Sequence, residues 1–130
     1  MANVQLREVA GKTHAKALNE IGILTVSQLL ETGATSGGRM KIADTTNIDL
    51  DAVLRYVHVS DLLRIDGVSA DMASALCEAG VVTVPKLAYR SADSIKEELT
   101  RHDSDKEPST TKDFERIIAA AKKLPKVVQH

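Results

Sequence analysis

The stretch AKALNEIGILTVSQL, residues 15–29, returns fifty-eight positions later as ASALCEAGVVTVPKL, residues 73–87. Ala15, Ala17, Leu18, Glu20, Gly22, Thr25, Val26 and Leu29 meet identical residues at Ala73, Ala75, Leu76, Glu78, Gly80, Thr83, Val84 and Leu87. Self-similarity of this kind means one supersecondary unit used twice, with each copy needing a neighbour to cover its apolar face.

The residues of one copy predict its shape. Ala15, Leu18 and Ile21 recur at helical spacing, as do Ala73, Leu76 and Ala79, so each copy opens on an amphipathic helix. Gly22 and Gly80 stand where a helix closes through a left-handed residue, a conformation glycine adopts without steric cost. Ile23 and Val81 then pack back on the helix just ended. Thr25 and Thr83 are expected to start a second, short helix, because a hydroxyl at that place accepts a bond from an orphan backbone N–H. Pro85 falls just inside that start, where its missing donor costs little. The expected core is Leu18, Ile21, Val26, Leu29, Leu76, Val84 and Leu87.

Each copy is preceded by a small-residue turn. In the first it is Val9-Ala10-Gly11-Lys12, entered from Val4, Leu6 and Val9; in the second it is Gly67-Val68-Ser69-Ala70, entered from Leu62, Leu63 and Ile65. Glycine, apolar residue, glycine and then a helix running to a glycine stop resembles the helix-hairpin-helix motif. Over residues 6–128 the chain is similar to a bacterial family of unknown function built from two degenerate helix-hairpin-helix units around a helical insert. The resemblance implies an all-α domain of about eight or nine short helices, its two hairpin units packed as a pseudo-twofold pair. It divides the chain into a first unit (4–32), an insert (33–59), a second unit (60–90) and C-terminal helices (91–128). Each copy keeps one glycine of the pair that lets bare amides approach a phosphate: Val9 stands in place of the first in copy one, and Ser69 in place of the second in copy two.

Within the insert, residues 33–38 (GATSGG) read as a flexible turn, 40–46 as a short helix, and Asn47 as a turn residue. Asp49 or Asp51 is placed to cap a longer helix carrying Leu50, Val53, Leu54 and Val57. Short helix, turn and longer helix outline a helix-turn-helix reader, but Asp49, Asp51, Arg55 and His58 are a poor set for base edges and phosphates. A structural insert packed on the two repeats is the expectation. Further on, Ser91 caps a helix carrying Ile95 and Leu99, and residues 101–110 (RHDSDKEPST) read as a mobile surface loop. Thr110 with Asp113 resembles a capping box ahead of a last helix lined by Phe114, Ile117, Ile118 and Ala121. Lys122, Lys123 and Lys126 gather where that helix ends near Leu124-Pro125, where cations suit the helix dipole.

With 130 residues the chain supports one domain with a real core, or two tightly apposed halves, and one Phe, two Tyr and no Trp leave that core to Leu, Ile, Val and Ala. A net charge of −1 provides no global field for nucleic acid or an anionic membrane. Cys77, the one cysteine, excludes an intramolecular disulfide and reads as a packing residue. No apolar run approaches spanning length, so a cytoplasmic protein without membrane contact is expected.

No catalytic constellation is visible. His14, His58, His102 and His130 are scattered and pair neither with each other nor with Cys77 at metal-ligand spacing, and no phosphate loop, nucleophile elbow or nicotinamide fingerprint occurs. No cofactor, metal or small-molecule substrate is therefore expected. Gly11, Lys12 and Thr13 lie at a helix N-terminus suited to an anion, with Arg7 and Lys16 near and Arg39 and Lys41 able to join if the insert folds back. Copy two, around Gly67 and Ser69, sets Asp61, Asp66, Asp71 and Glu78 against Arg64. These residues predict a non-enzymatic binding module that holds DNA backbone through the first hairpin, independently of base sequence. The alternative is a protein-interaction or scaffold module, with a protein partner or self-association in place of nucleic acid.

Overall fold

The computed structural model describes residues 4–65, 67–102 and 111–129. Among them are eight helices and no strand: α1 (Leu6–Glu20), α2 (Val26–Thr32), α3 (Ser36–Thr46), α4 (Leu50–Leu62), α5 (Ala70–Glu78), α6 (Val84–Ala88), α7 (Ala92–His102) and α8 (Thr111–Lys122).

Both copies close their first helix with the same hydrogen bonds. The Ile23 N–H donates to the Leu18 carbonyl at 3.0 Å and the Gly22 N–H to the Asn19 carbonyl at 3.0 Å. Fifty-eight residues on, Val81 donates to Leu76 at 2.9 Å and Gly80 to Cys77 at 3.1 Å. This is a Schellman turn, and it requires the left-handed φ of +89° at Gly22 and +91° at Gly80. Its apolar clasp, Ile23 on one side and Val81 on the other, is buried in both copies. The Thr25 and Thr83 hydroxyls then accept from the Gln28 and Lys86 N–H groups and start α2 and α6. In copy one the cap is doubled, because Gln28 Oε1 accepts in turn from the Thr25 N–H at 3.2 Å.

Among the described residues the buried side chains form two clusters. One gathers Leu6, Ala10, Leu18, Ile23, Leu29, Ile42, Val53 and Val57 around copy one. The other gathers Leu62, Ile65, Leu76, Val84, Leu87, Ile95, Phe114 and Ile117 around copy two. Helix α4 serves both, with Val53 and Val57 in the first and Val59 and Leu62 in the second. It packs against α1, α2 and α3 from the first half of the chain and α5 from the second. Because α4 runs through to Leu62, the expected boundary between residues 59 and 60 falls inside a helix, and the last helix of the insert is also the lead into the second turn. On α8, Phe114, Ile117, Ile118 and Ala121 are buried on one face, as their spacing predicts.

Four expectations need correction. Ile21 is 36 % exposed and not core: it is the C-cap of α1, where the chain turns away, and Ile23 takes the buried place. Of residues 33–38 only 33–35 form a turn, while 36–38 open a helix. The Thr35 hydroxyl accepts from the Gly38 N–H at 3.1 Å and starts α3 at Ser36. The glycines there serve close approach: a Cβ on Gly33 would run into Val57, and one on Gly38 into the Thr32 carbonyl. Asp49 occupies the N-cap of α4 without a side-chain bond to it. Arg101 and His102 belong to α7, while the rest of the expected loop and the Thr110 cap lie outside the described residues.

Candidate nucleic-acid interface

Helix α1 is interrupted once. Gly11 has φ 79° and ψ 163°, so residues 6–10 and 12–20 are two helical segments joined by one extended, left-handed residue. The first segment is started by Gln5, whose N–H donates to the Glu8 carboxylate at 2.7 Å. Arg7 stands on that segment, and Lys12 and Lys16, four residues apart, share a face of the next. Arg7, Gly11, Lys12, Thr13 and Lys16 are all exposed. Around Gly11 there is open space where a side chain would stand.

The second turn is built differently. Its left-handed residue is Gly67, φ +94°, whose counterpart in copy one is the helical Val9. The counterpart of Gly11 is Ser69, in ordinary extended backbone, with its hydroxyl accepting from the Met72 N–H at 3.1 Å. A β-branched valine resists a positive φ, so copy one makes its bend two residues later, at Gly11. Ser69 thus satisfies a donor at the start of α5 from its own side chain, whereas Gly11 has no side chain with which to do so. Gly67 is exposed but lies beside α8, where a Cβ would touch Ile117 Cγ1 at 3.7 Å.

The charges expected around these turns are redistributed. Arg39 does not join the first turn. It is 5 % exposed, donating from Nη1 to the Gly33 carbonyl at 2.8 Å and from Nη2 to the Gln129 carbonyl at 2.7 Å. Burial lowers its pKa from the ordinary arginine value. Lys41 is exposed in a groove of about 600 Å³ with Ile21, Gly22, Gln28, Glu31 and Thr45, beside the Gly22 turn and not the Gly11 one.

At the second turn Asp61 is not a surface acid. It is fully buried, accepts from the Val84 N–H at 2.9 Å and pairs with Arg64 at 2.7 Å, so it caps α6 from the end of α4. Glu78 pairs with Arg55 at 3.0 Å, and Arg55 also donates to Ser74. Asp71 is exposed, and Asp66 lies outside the described residues. In the would-be recognition helix Arg55 is thus engaged with α5 and His58 is buried.

One pairing near the first turn carries no sequence signal. His14 Nδ1 lies 2.6 Å from the Tyr56 hydroxyl, with the rings edge to face at 5.7 Å. The partners stand forty-two residues apart, and this contact seats the 12–20 segment on α4. Burial pushes the Tyr56 phenol up, with Arg55 pulling the other way. Among the described residues no three His, Cys, Asp or Glu side chains gather as a metal site, and no helix is long and apolar enough to cross a membrane.

No curated protein and no solved structure shows a significant match to the chain. A family model described as a domain of unknown function, DUF4332, matches residues 8–124, which spans both turn units, α3, α4 and the C-terminal helices. The chain therefore belongs to that family.

Proposed function

We propose that the chain is a non-enzymatic helix-hairpin-helix binding module whose first hairpin holds nucleic acid, DNA in particular, by its backbone. The two turn units are read as degenerate helix-hairpin-helix copies, supported by the Schellman turns and threonine caps that recur fifty-eight residues apart. The observation that carries the reading is Gly11, exposed, left-handed and open to solvent at the start of a helical segment flanked by three exposed cations. A phosphate there gains from the helix dipole and from Arg7, Lys12 and Lys16, with Gly11 and Thr13 presenting the backbone. Such contacts carry no base information, so affinity is independent of sequence and falls steeply with salt. Gly67 and Ser69 are the corresponding positions of the second hairpin and contribute less, because Ser69 already caps its own helix.

Titration of labelled duplex and single strand at low and moderate salt tests the reading. Lys12→Glu with Lys16→Glu is expected to abolish binding at low salt, and an affinity left unchanged by that pair overturns the assignment. Neutralising about three phosphates corresponds to a slope of log K against log salt near −3 for duplex. A second reading, a protein-interaction or scaffold module, is favoured by Leu24, 61 % exposed in the turn between α1 and α2, and by Ile21 beside it. Undetectable nucleic-acid binding at low salt together with a stable partner-bound or self-associated state would select it.

A further inference from the structure

Beyond α8 the chain returns from the second cluster to the first. The Pro125 carbonyl accepts from Arg64 Nη2 at 2.9 Å. The Gln129 carbonyl accepts from Arg39 Nη2 at 2.7 Å, and the Gln129 N–H donates to the Ala34 carbonyl at 2.7 Å. Between them Val128 is 2 % exposed within the first cluster, and Val127 packs at its edge. These ties use main-chain groups of the segment and one buried valine, while the residues Lys126 and Gln129 are exposed.

The two arginines of the seat are each held by a second tie to the body of the fold. Arg39 is held by its other nitrogen on the Gly33 carbonyl, at a corner where Gly33 is pressed against Val57. Arg64 is likewise fixed by Asp61. Main-chain hydrogen bonds with a pocket for one side chain are how proteins take up extended peptides.

We propose that this seat is a docking site for an extended peptide, filled here by the chain's own residues 125–129, and that it accepts the same segment from a second copy. A tail in trans makes the contacts that the tail in cis makes, so exchange between two copies costs association entropy and no lost bond. The turn at Lys123 and Leu124, directly after α8, is the hinge.

The test uses two full-length variants. Val128→Asp has a defective tail and an intact seat; Arg39→Gln has the reverse. Neither alone is expected to dimerise, and an equimolar mixture is expected to form a one-to-one heterodimer by light scattering. A labelled peptide of residues 124–130, LPKVVQH, is expected to bind Val128→Asp about tenfold or more tightly than wild type, whose tethered tail competes at high effective concentration. If Arg39→Gln does not fold, the peptide measurement alone decides. A folded Val128→Asp that takes up neither peptide nor Arg39→Gln overturns the proposal, as does equal uptake by wild type. Loss of the helical fold in Val128→Asp overturns it too, since a segment the fold cannot release cannot be exchanged.

Discussion

Cys77 lies half-buried against the second cluster, one position after the fully buried Leu76. Burial pushes its thiol up to about 12 from the ordinary 9.0, with Arg55 opposing and Asp61 and Glu78 reinforcing the shift. The thiol therefore stays protonated at neutral pH and is a packing group, not a nucleophile. Unfolding returns it to its ordinary value, so above about pH 9 the unfolded chain releases a proton that the folded chain keeps. This contribution to stability is intact below pH 9 and is lost as pH rises toward 12. Cys77→Ala is expected to flatten the alkaline fall in Tm over that window, and identical pH profiles would refute the assignment. At the same scale, periodicity placed Ile21 in the core, but the residue that ends a helix no longer follows the helix's period. The turn that follows passes the buried position on to Ile23.

At the scale of elements, the turns and the threonine caps follow from residue type, because their bonds join groups at most five residues apart. Gly80 is left-handed with nothing within reach of an added Cβ, so Gly80→Ala carries a backbone cost alone, about 1–2 kcal/mol in chemical denaturation. Gly37 has the same open surroundings within α3 at ordinary helical φ, and Gly37→Ala should be neutral or stabilising by up to about 1 kcal/mol. Equal effects at the two positions would mean that conformation is not what sets these glycines apart. The GATSGG run shows where such local reading ends. Its composition suits a loop, but Gly33 and Gly38 are required by Val57 and the Thr32 carbonyl. Val57 belongs to a helix that begins well downstream, so the requirement is invisible in the run itself. Gly11 and Gly67 were readable as turn residues, and so was their two-residue offset between the copies, whereas the backbone angles alone show that both are left-handed and that Gly11 bends a helix the second copy does not have.

For the molecule as a whole, Asp61 and Arg64 bind its parts together: α4 to the start of α6 through Val84, and α4 to the returning tail through Pro125. Asp61→Ala leaves the buried Val84 N–H without its acceptor and the part-buried Arg64 guanidinium with the Pro125 carbonyl but no counter-charge. The expected loss is about 3 kcal/mol, read by denaturant titration. Adding Arg64→Ala should recover part of that loss, and strict additivity would show that the pair is not coupled. The first-turn cations, by contrast, remain in solvent as the sequence suggests, so the candidate interface is legible there but not at the second turn. Local chemistry by itself determined the helical class, the duplicated turn and its caps, since each rests on bonds between near neighbours in the chain. Only the tertiary structure decided which charges face water. Arg39 meets its tail partner ninety residues away and Asp61 its amide twenty-three away, and burial of a charge depends on partners that distant.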